Sequence, residues 1–123
     1  MSNRNGYSRP AIRTQVAGVW YDSQLEGRFA MLLIKHGIKF TPHVTFHCFD
    51  RDGKPFDYTV DFVFDIPQKF AGIDFTLDFV ETKGVLSKHA IKRNRAMSYC
   101  HSLKGYCVGY ELIDFWEREG IRW

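Results

Sequence analysis

Leu77-Asp78-Phe79-Val80-Glu81-Thr82-Lys83-Gly84 begins as an apolar run and ends with a carboxylate and an ammonium two positions apart. Read as a strand, its side chains alternate between faces, so Glu81 and Lys83 point to the same side of a sheet. Charges on a mostly apolar strand need a partner or a metal. A second strand-like run, Tyr58-Thr59-Val60-Asp61-Phe62-Val63-Phe64, sets another acid among aromatic and β-branched neighbours, where a solvated charge is not expected. Two carboxylates and a lysine gathered at strand ends suit metal-assisted hydrolysis of a phosphodiester. Hard oxygen ligands hold Mg²⁺, and the cation lowers the pKa of water and neutralises developing charge. A lysine beside it orients or deprotonates the water, or stabilises the charged transition state. An acid followed at a distance by Glu-x-Lys is common by chance, and a structural salt bridge at a sheet edge is the competing reading.

Working outward, Asp22 or Ser23 starts a helix, with Glu26 placed as in a capping box and Gly37 after His36 as the stop. Leu25, Phe29, Leu32 and Leu33 recur at helical spacing. Lys39 to Phe49 reads as a strand, with Val44, Phe46 and Cys48 on one face and His43, Thr45 and His47 on the other. Asp52-Gly53 supplies the turn, and Phe56 to Asp65 returns antiparallel until Ile66-Pro67 ends it. A loop over 67–74 leads to the third strand, Phe75 to Lys83. Ser87 to Leu103 follows as a basic helix with Ile91, Met97 and Leu103 toward the core, closed by Lys104-Gly105. Tyr106 to Glu111 is a fourth strand, with a terminal helix around Ile113 to Glu119. The order helix, three strands, helix, strand predicts an α/β fold: a mixed sheet flanked by helices, its last strand joined by a right-handed parallel crossover. Residues 1–20, carrying Arg4, Arg9 and Arg13, read as a flexible basic arm that touches phosphates or exchanges with a second subunit. Residues 21–123 form a single domain.

Composition narrows the function class. No apolar run reaches the roughly 18 to 20 residues of a membrane span, and the polar N-terminus shows no secretory signal. Three cysteines without a CxxC pair fit buried thiols in a reducing cytoplasm. The net charge of +3 is unevenly spread: Thr82 to Tyr110 holds six Lys/Arg and no acid, while Thr41 to Glu81 holds eight acids against three bases. A basic lobe beside an acidic middle suits a protein that holds a polyanion and a divalent cation together. Lys88, Lys92, Arg93 and Arg95 are the candidates for DNA backbone contacts, which position a duplex without reading its sequence. His89 and His101 flank the exposed side of that helix, and Phe62, Phe64, Phe75 and Phe79 are core. His43 and His47 share a strand face, but a zinc pair would lack matching cysteines. No glycine-rich phosphate loop and no nucleophile elbow argue for a metabolic enzyme.

Four stretches in order, Tyr21-Asp22-Ser23-Gln24-Leu25-Glu26-Gly27-Arg28-Phe29, His36-Gly37-Ile38-Lys39-Phe40, Tyr58-Thr59-Val60-Asp61-Phe62 and Phe79-Val80-Glu81-Thr82-Lys83-Gly84, resemble the PD-(D/E)xK nuclease superfamily. Within it the chain is most similar to the phage endonuclease I type of Holliday-junction resolvase, and more loosely to TnsA-type transposase endonucleases. The likeness covers roughly residues 20 to 85. It implies a restriction-endonuclease-like core, with Asp61 and Glu81 as ligands for Mg²⁺, or for Mn²⁺ in its place. It also implies Lys83 as the catalytic lysine, and Glu26 as the helix-borne acid that completes the metal site directly or through water. Val60 stands where the motif name has proline, and the Asp65 to Asp74 connection differs from the family pattern. The resemblance further implies a homodimer acting on branched DNA such as a four-way junction, in the cytoplasm of a phage-infected or bacterial cell. A duplex-cutting or nicking endonuclease of transposition or restriction type, and a non-catalytic DNA-binding subunit of the same fold, stay open beside it.

Overall fold

Ser23 and Gly37 set the limits of the first helix by local capping chemistry. In the computed structural model, which describes residues 12–122, α1 spans Gln24–Lys35 and the Ser23 hydroxyl accepts the Glu26 N–H at 3.1 Å. At its other end Gly37, at φ +68°, donates to Ile34 O, and Ile38 donates to Leu33 O, the paired bonds of a Schellman stop. Before α1, Thr14–Val16 (β1) and Val19–Tyr21 (β2) form an antiparallel hairpin turned by Ala17 and Gly18, both at positive φ. Residues 14–20 are therefore a strand pair and not part of a free arm. The hairpin anchors itself by burying Val16 and Tyr21 in the core. Arg4 and Arg9 lie outside the described residues.

The main sheet has four strands in the order β3 (Phe40–Phe49), β4 (Pro55–Gln68), β5 (Leu77–Thr82) and β6 (Gly105–Val108). The first two pairings are antiparallel and β5–β6 is parallel, joined through α2 (Lys88–His101). A terminal helix, α3 (Tyr110–Glu119), closes the chain. The α/β class, the mixed sheet and the parallel pairing of the last strand through a helix agree with the sequence reading. Among the described residues, no helix is long and apolar enough to cross a membrane.

Several boundaries differ for local reasons. β4 continues through Pro67 to Gln68, because its β3 partner ends at Phe40↔Phe64. Beyond that pair only β5 lies alongside, across a register shift, so a missing N–H is tolerated. The third strand starts at Leu77, and Phe75 sits at the rim, 37% exposed, under the Lys104 ammonium. Ser102, in the left-handed region, ends α2 in place of Lys104-Gly105. Ile91 faces out; α2 buries Ala90, Ala96 and Met97 instead. The fourth strand stops at Val108, since Gly109 already caps α3.

The core divides on the two faces of the sheet. Phe29, Leu33, Phe62, Phe70, Ile113 and Trp116 pack under α1 and α3, where Arg28 clamps the helices by binding Asp114 and Glu117. Cys48, Tyr58, Val60, Phe79 and Met97 pack under α2. Phe62 and Phe64 thus lie on one face while Tyr58 and Val60, of the same parity on the same strand, lie on the other. The partner strand changes face at the same level, with Phe40 against the first cluster and Phe46 against the second. Regular strands cannot do this. The break falls at His43, at φ +55°, and at Asp61 across from it, between the pairs Pro42↔Phe62 and Val44↔Val60.

Candidate active site

That break in alternation builds the site. The β4–β5 ladder ends at Phe62↔Val80, and beyond it the Thr82 N–H donates to Asp61 Oδ2 at 2.9 Å instead of to a strand carbonyl. The Thr82 hydroxyl donates to the same oxygen at 3.3 Å. Glu81, 5% exposed, accepts the Tyr58 hydroxyl at 2.7 Å. Glu26 projects from the first turn of α1, also 5% exposed; its Oε1 accepts the Asp22 N–H at 3.2 Å and lies 3.1 Å from His43 Nε2. The predicted capping role thus falls to this carboxylate, which reaches back to Asp22 rather than to Ser23. Lys83 follows β5, half-buried, with its N–H on Val108 O at 2.8 Å.

Electrostatics show that these groups form one cluster. Burial and the neighbouring charge of Glu26 push Asp61 up to about 7, against the Thr82 N–H, with Glu81 adding to the rise. Burial also raises Glu81, while the Tyr58 hydroxyl, Lys83 and Arg93 hold it down. Tyr58 in turn is raised by burial and by the Glu81 charge. Three carboxylates from α1, β4 and β5 therefore repel one another in a poorly solvated place, and a proton or a cation relieves them.

Carboxylate oxygens are the donor type that a hard divalent cation takes, and Lys83 acts on Glu81 as a neighbouring positive charge. Among the described residues, the group whose ligand atoms lie within 4.8 Å of one another is Asp22, Glu26 and His43, which could hold a metal ion; the predicted ligands Asp61 and Glu81 are not in that group. Sequence reasoning missed His43 and Asp22 as members of the site. The i, i+4 spacing of Asp22 and Glu26 around the Ser23 cap was a signal for the second; the left-handed turn that swings His43 away from His47 had none. His47 instead meets the exposed Asp57, so the two histidines do not pair. Tyr58 enters the sequence reading only as a member of the run Tyr58–Phe64 and of the matched stretch, with no role of its own.

The basic helix is placed as expected, with Lys88, Lys92 and Arg95 exposed. Arg93 is half-buried, and its Nε has no hydrogen-bond partner among the described residues. Arg13 lies just before β1, its guanidinium 4.9 Å from the Trp20 ring centre. A scan of protein-family models finds no match, and searches of curated proteins and of solved structures find none either.

Tyr58→Phe keeps the ring and removes the hydroxyl from Glu81, which raises that carboxyl further and leaves it less tightly aimed. Loss of an outer hydrogen bond of this kind weakens metal binding roughly 10-fold. The Mn²⁺ concentration that half-saturates the rise in melting temperature should move by that factor; an unmoved midpoint would separate Tyr58 from the site.

Proposed function

We propose that the chain is a Mg²⁺-dependent DNA endonuclease of restriction-endonuclease-like fold, with Mn²⁺ able to replace Mg²⁺. The observation that carries this reading is the convergence of Glu26, Asp61 and Glu81 from three elements, with Asp61 pushed up to about 7 and Lys83 alongside. Such a cluster is poorly stable alone and is matched to a divalent cation. The order of the four sequence stretches supports the same reading.

Asp61, Glu81 and Glu26 would hold the cation, with Asp22 and His43 available on the Glu26 side. The cation, when bound, supplies neutralisation of the phosphate charge and acidifies water. The protein does the rest. The Tyr58 hydroxyl and the Thr82 N–H each bond one oxygen of Glu81 and Asp61 respectively, and so hold the two carboxylates in place in advance. Lys83 orients the attacking water or stabilises the charge that builds on the phosphoryl oxygens. Lys88, Lys92, Arg93 and Arg95 hold the backbone of the substrate, as Arg4, Arg9 and Arg13 would from the other end of the chain. Branched DNA as the favoured substrate, a homodimer and a cytoplasmic place of action come from the family resemblance.

Glu81→Gln and Lys83→Ala should each lower cleavage at least ~10³-fold and leave DNA binding within about two-fold, read by anisotropy in EDTA. Loss of folding in both variants would instead support a structural salt bridge. A linear duplex cut as fast as a four-way junction keeps the hydrolase and discards the junction preference.

A further inference from the structure

The β3–β4 turn and α2 enclose a groove of ≈ 420 Å³, whose walls carry Arg51, Phe56, Lys92, Arg93, Arg95 and Tyr99. Across it the Arg51 guanidinium lies 5.8 Å from the centre of the Tyr99 ring, which stays 50% exposed. The acids in the groove, Asp50 and Asp52, do not neutralise it. Asp50 Oδ1 accepts the N–H groups of Asp52 and Lys54 and so holds the turn. Arg51, Lys92, Arg93 and Arg95 make no ion pair among the described residues. The groove and the carboxylate cluster share Arg93, which lines the first and acts on Glu81 in the second.

A positive groove with one flat, accessible ring meets two demands at once. Phosphates need cations along the wall, and an unpaired base needs a π-face on which to stack. A duplex meets only the first, since its base faces are already stacked inside the helix. We propose that this groove is a subsite for an unpaired DNA strand, with a base on Tyr99 and phosphates on Lys92 and Arg95. The inference rests on the phosphodiesterase reading and deepens it: unpaired nucleotides occur where DNA branches, and Arg93 links the groove to the carboxylates that would cut.

The test uses the full chain in EDTA at one salt concentration, with fluorescent oligothymidylate of about 10 nucleotides, within the usual site sizes, and a duplex of equal length. Tyr99→Ala should weaken oligothymidylate binding by roughly 5- to 100-fold. Tyr99→Phe should stay close to wild type, and the duplex should be unaffected by both. Equal loss on both DNAs, or no loss on either, overturns the proposal, as does polyglutamate competing as well as oligothymidylate. Should Tyr99→Ala disturb folding, Lys92→Ala reads the groove independently: the slope of log affinity for oligothymidylate against log salt should fall by about one, and an unchanged slope overturns the subsite. Cleavage is scored separately. Tyr99-dependent strand binding without any cleavage supports the subsite while removing the hydrolase, and cleavage with Tyr99-independent binding does the reverse.

Discussion

Asp61→Asn should raise the melting temperature of the metal-free protein at pH 8 while removing its cleavage activity. Asn keeps an oxygen for the Thr82 N–H and hydroxyl and drops the charge that burial and Glu26 oppose. Because the folded carboxyl lies above its value in the unfolded chain, the folded state holds the proton more tightly. The stability this brings is present below pH ~4 and is lost as pH rises toward 7, so wild type is at its weakest above that. A displacement from 3.8 to about 7 corresponds to on the order of 4 kcal/mol, or roughly 15 °C in melting temperature for a domain of this size. Wild type should therefore lose stability between pH 4 and 7, and Asp61→Asn should lose less. Saturating Mn²⁺ should restore wild type and do little for the variant. A variant that melts below wild type at pH 8 would mean that the carboxylate is a stabilising structural partner.

Gly105→Ala should have the largest effect on folding of any single methyl addition. Gly105 pairs with Phe79 at the start of β6, and a Cβ there would sit 2.1 Å from the tip of the Phe79 ring. Phe79 is fully buried against Tyr58 and Met97, so the ring has nowhere to retreat. Overpacking of this kind costs about 3 kcal/mol. Phe79 lies two residues before Glu81, so the displaced ring also misplaces the site carboxylate. Thermal melts should show the loss, and Phe79→Leu in the same chain should recover part of it. Additive losses in the double variant would mean that the two side chains do not compete for the same space.

The two predictions mark what the sequence could and could not convey. Element existence was legible because it depends on short-range chemistry: the helix starts at Asp22 or Ser23 and at Ser87, the Gly37 stop, the Asp52-Gly53 turn and the parallel crossover were all visible. The acids at positions 61 and 81 stood out because each sits in an apolar or aromatic run, whereas Glu26 reads first as a helix cap and entered the site through the family resemblance. The change of face at His43 and Asp61 was hidden, since strict alternation over Phe40–Phe49 predicts His43 beside His47 and outside the site. One residue at positive φ reverses that assignment, and histidine is among the few side chains that adopt it readily. Tyr58 was hidden for a related reason: an aromatic in a strand is first a core residue, and its hydroxyl acquires a role only once β5 lies beside it. The hairpin over 14–21 was missed because three-residue strands leave almost no periodicity to read. Gly105 looked like a helix stop, and its need for bare space against Phe79 appears only in the packed sheet.

The most direct measurement is cleavage of an end-labelled four-way junction and a matched linear duplex by wild type and Asp61→Asn, each with Mg²⁺ and with EDTA. Cutting of the junction by wild type in Mg²⁺, absent in EDTA and absent in Asp61→Asn, is the expected result. Cutting that survives EDTA or the substitution, or no cutting of either DNA by a folded wild type, would contradict the assignment of Glu26, Asp61, Glu81 and Lys83 as a metal-dependent phosphodiesterase centre.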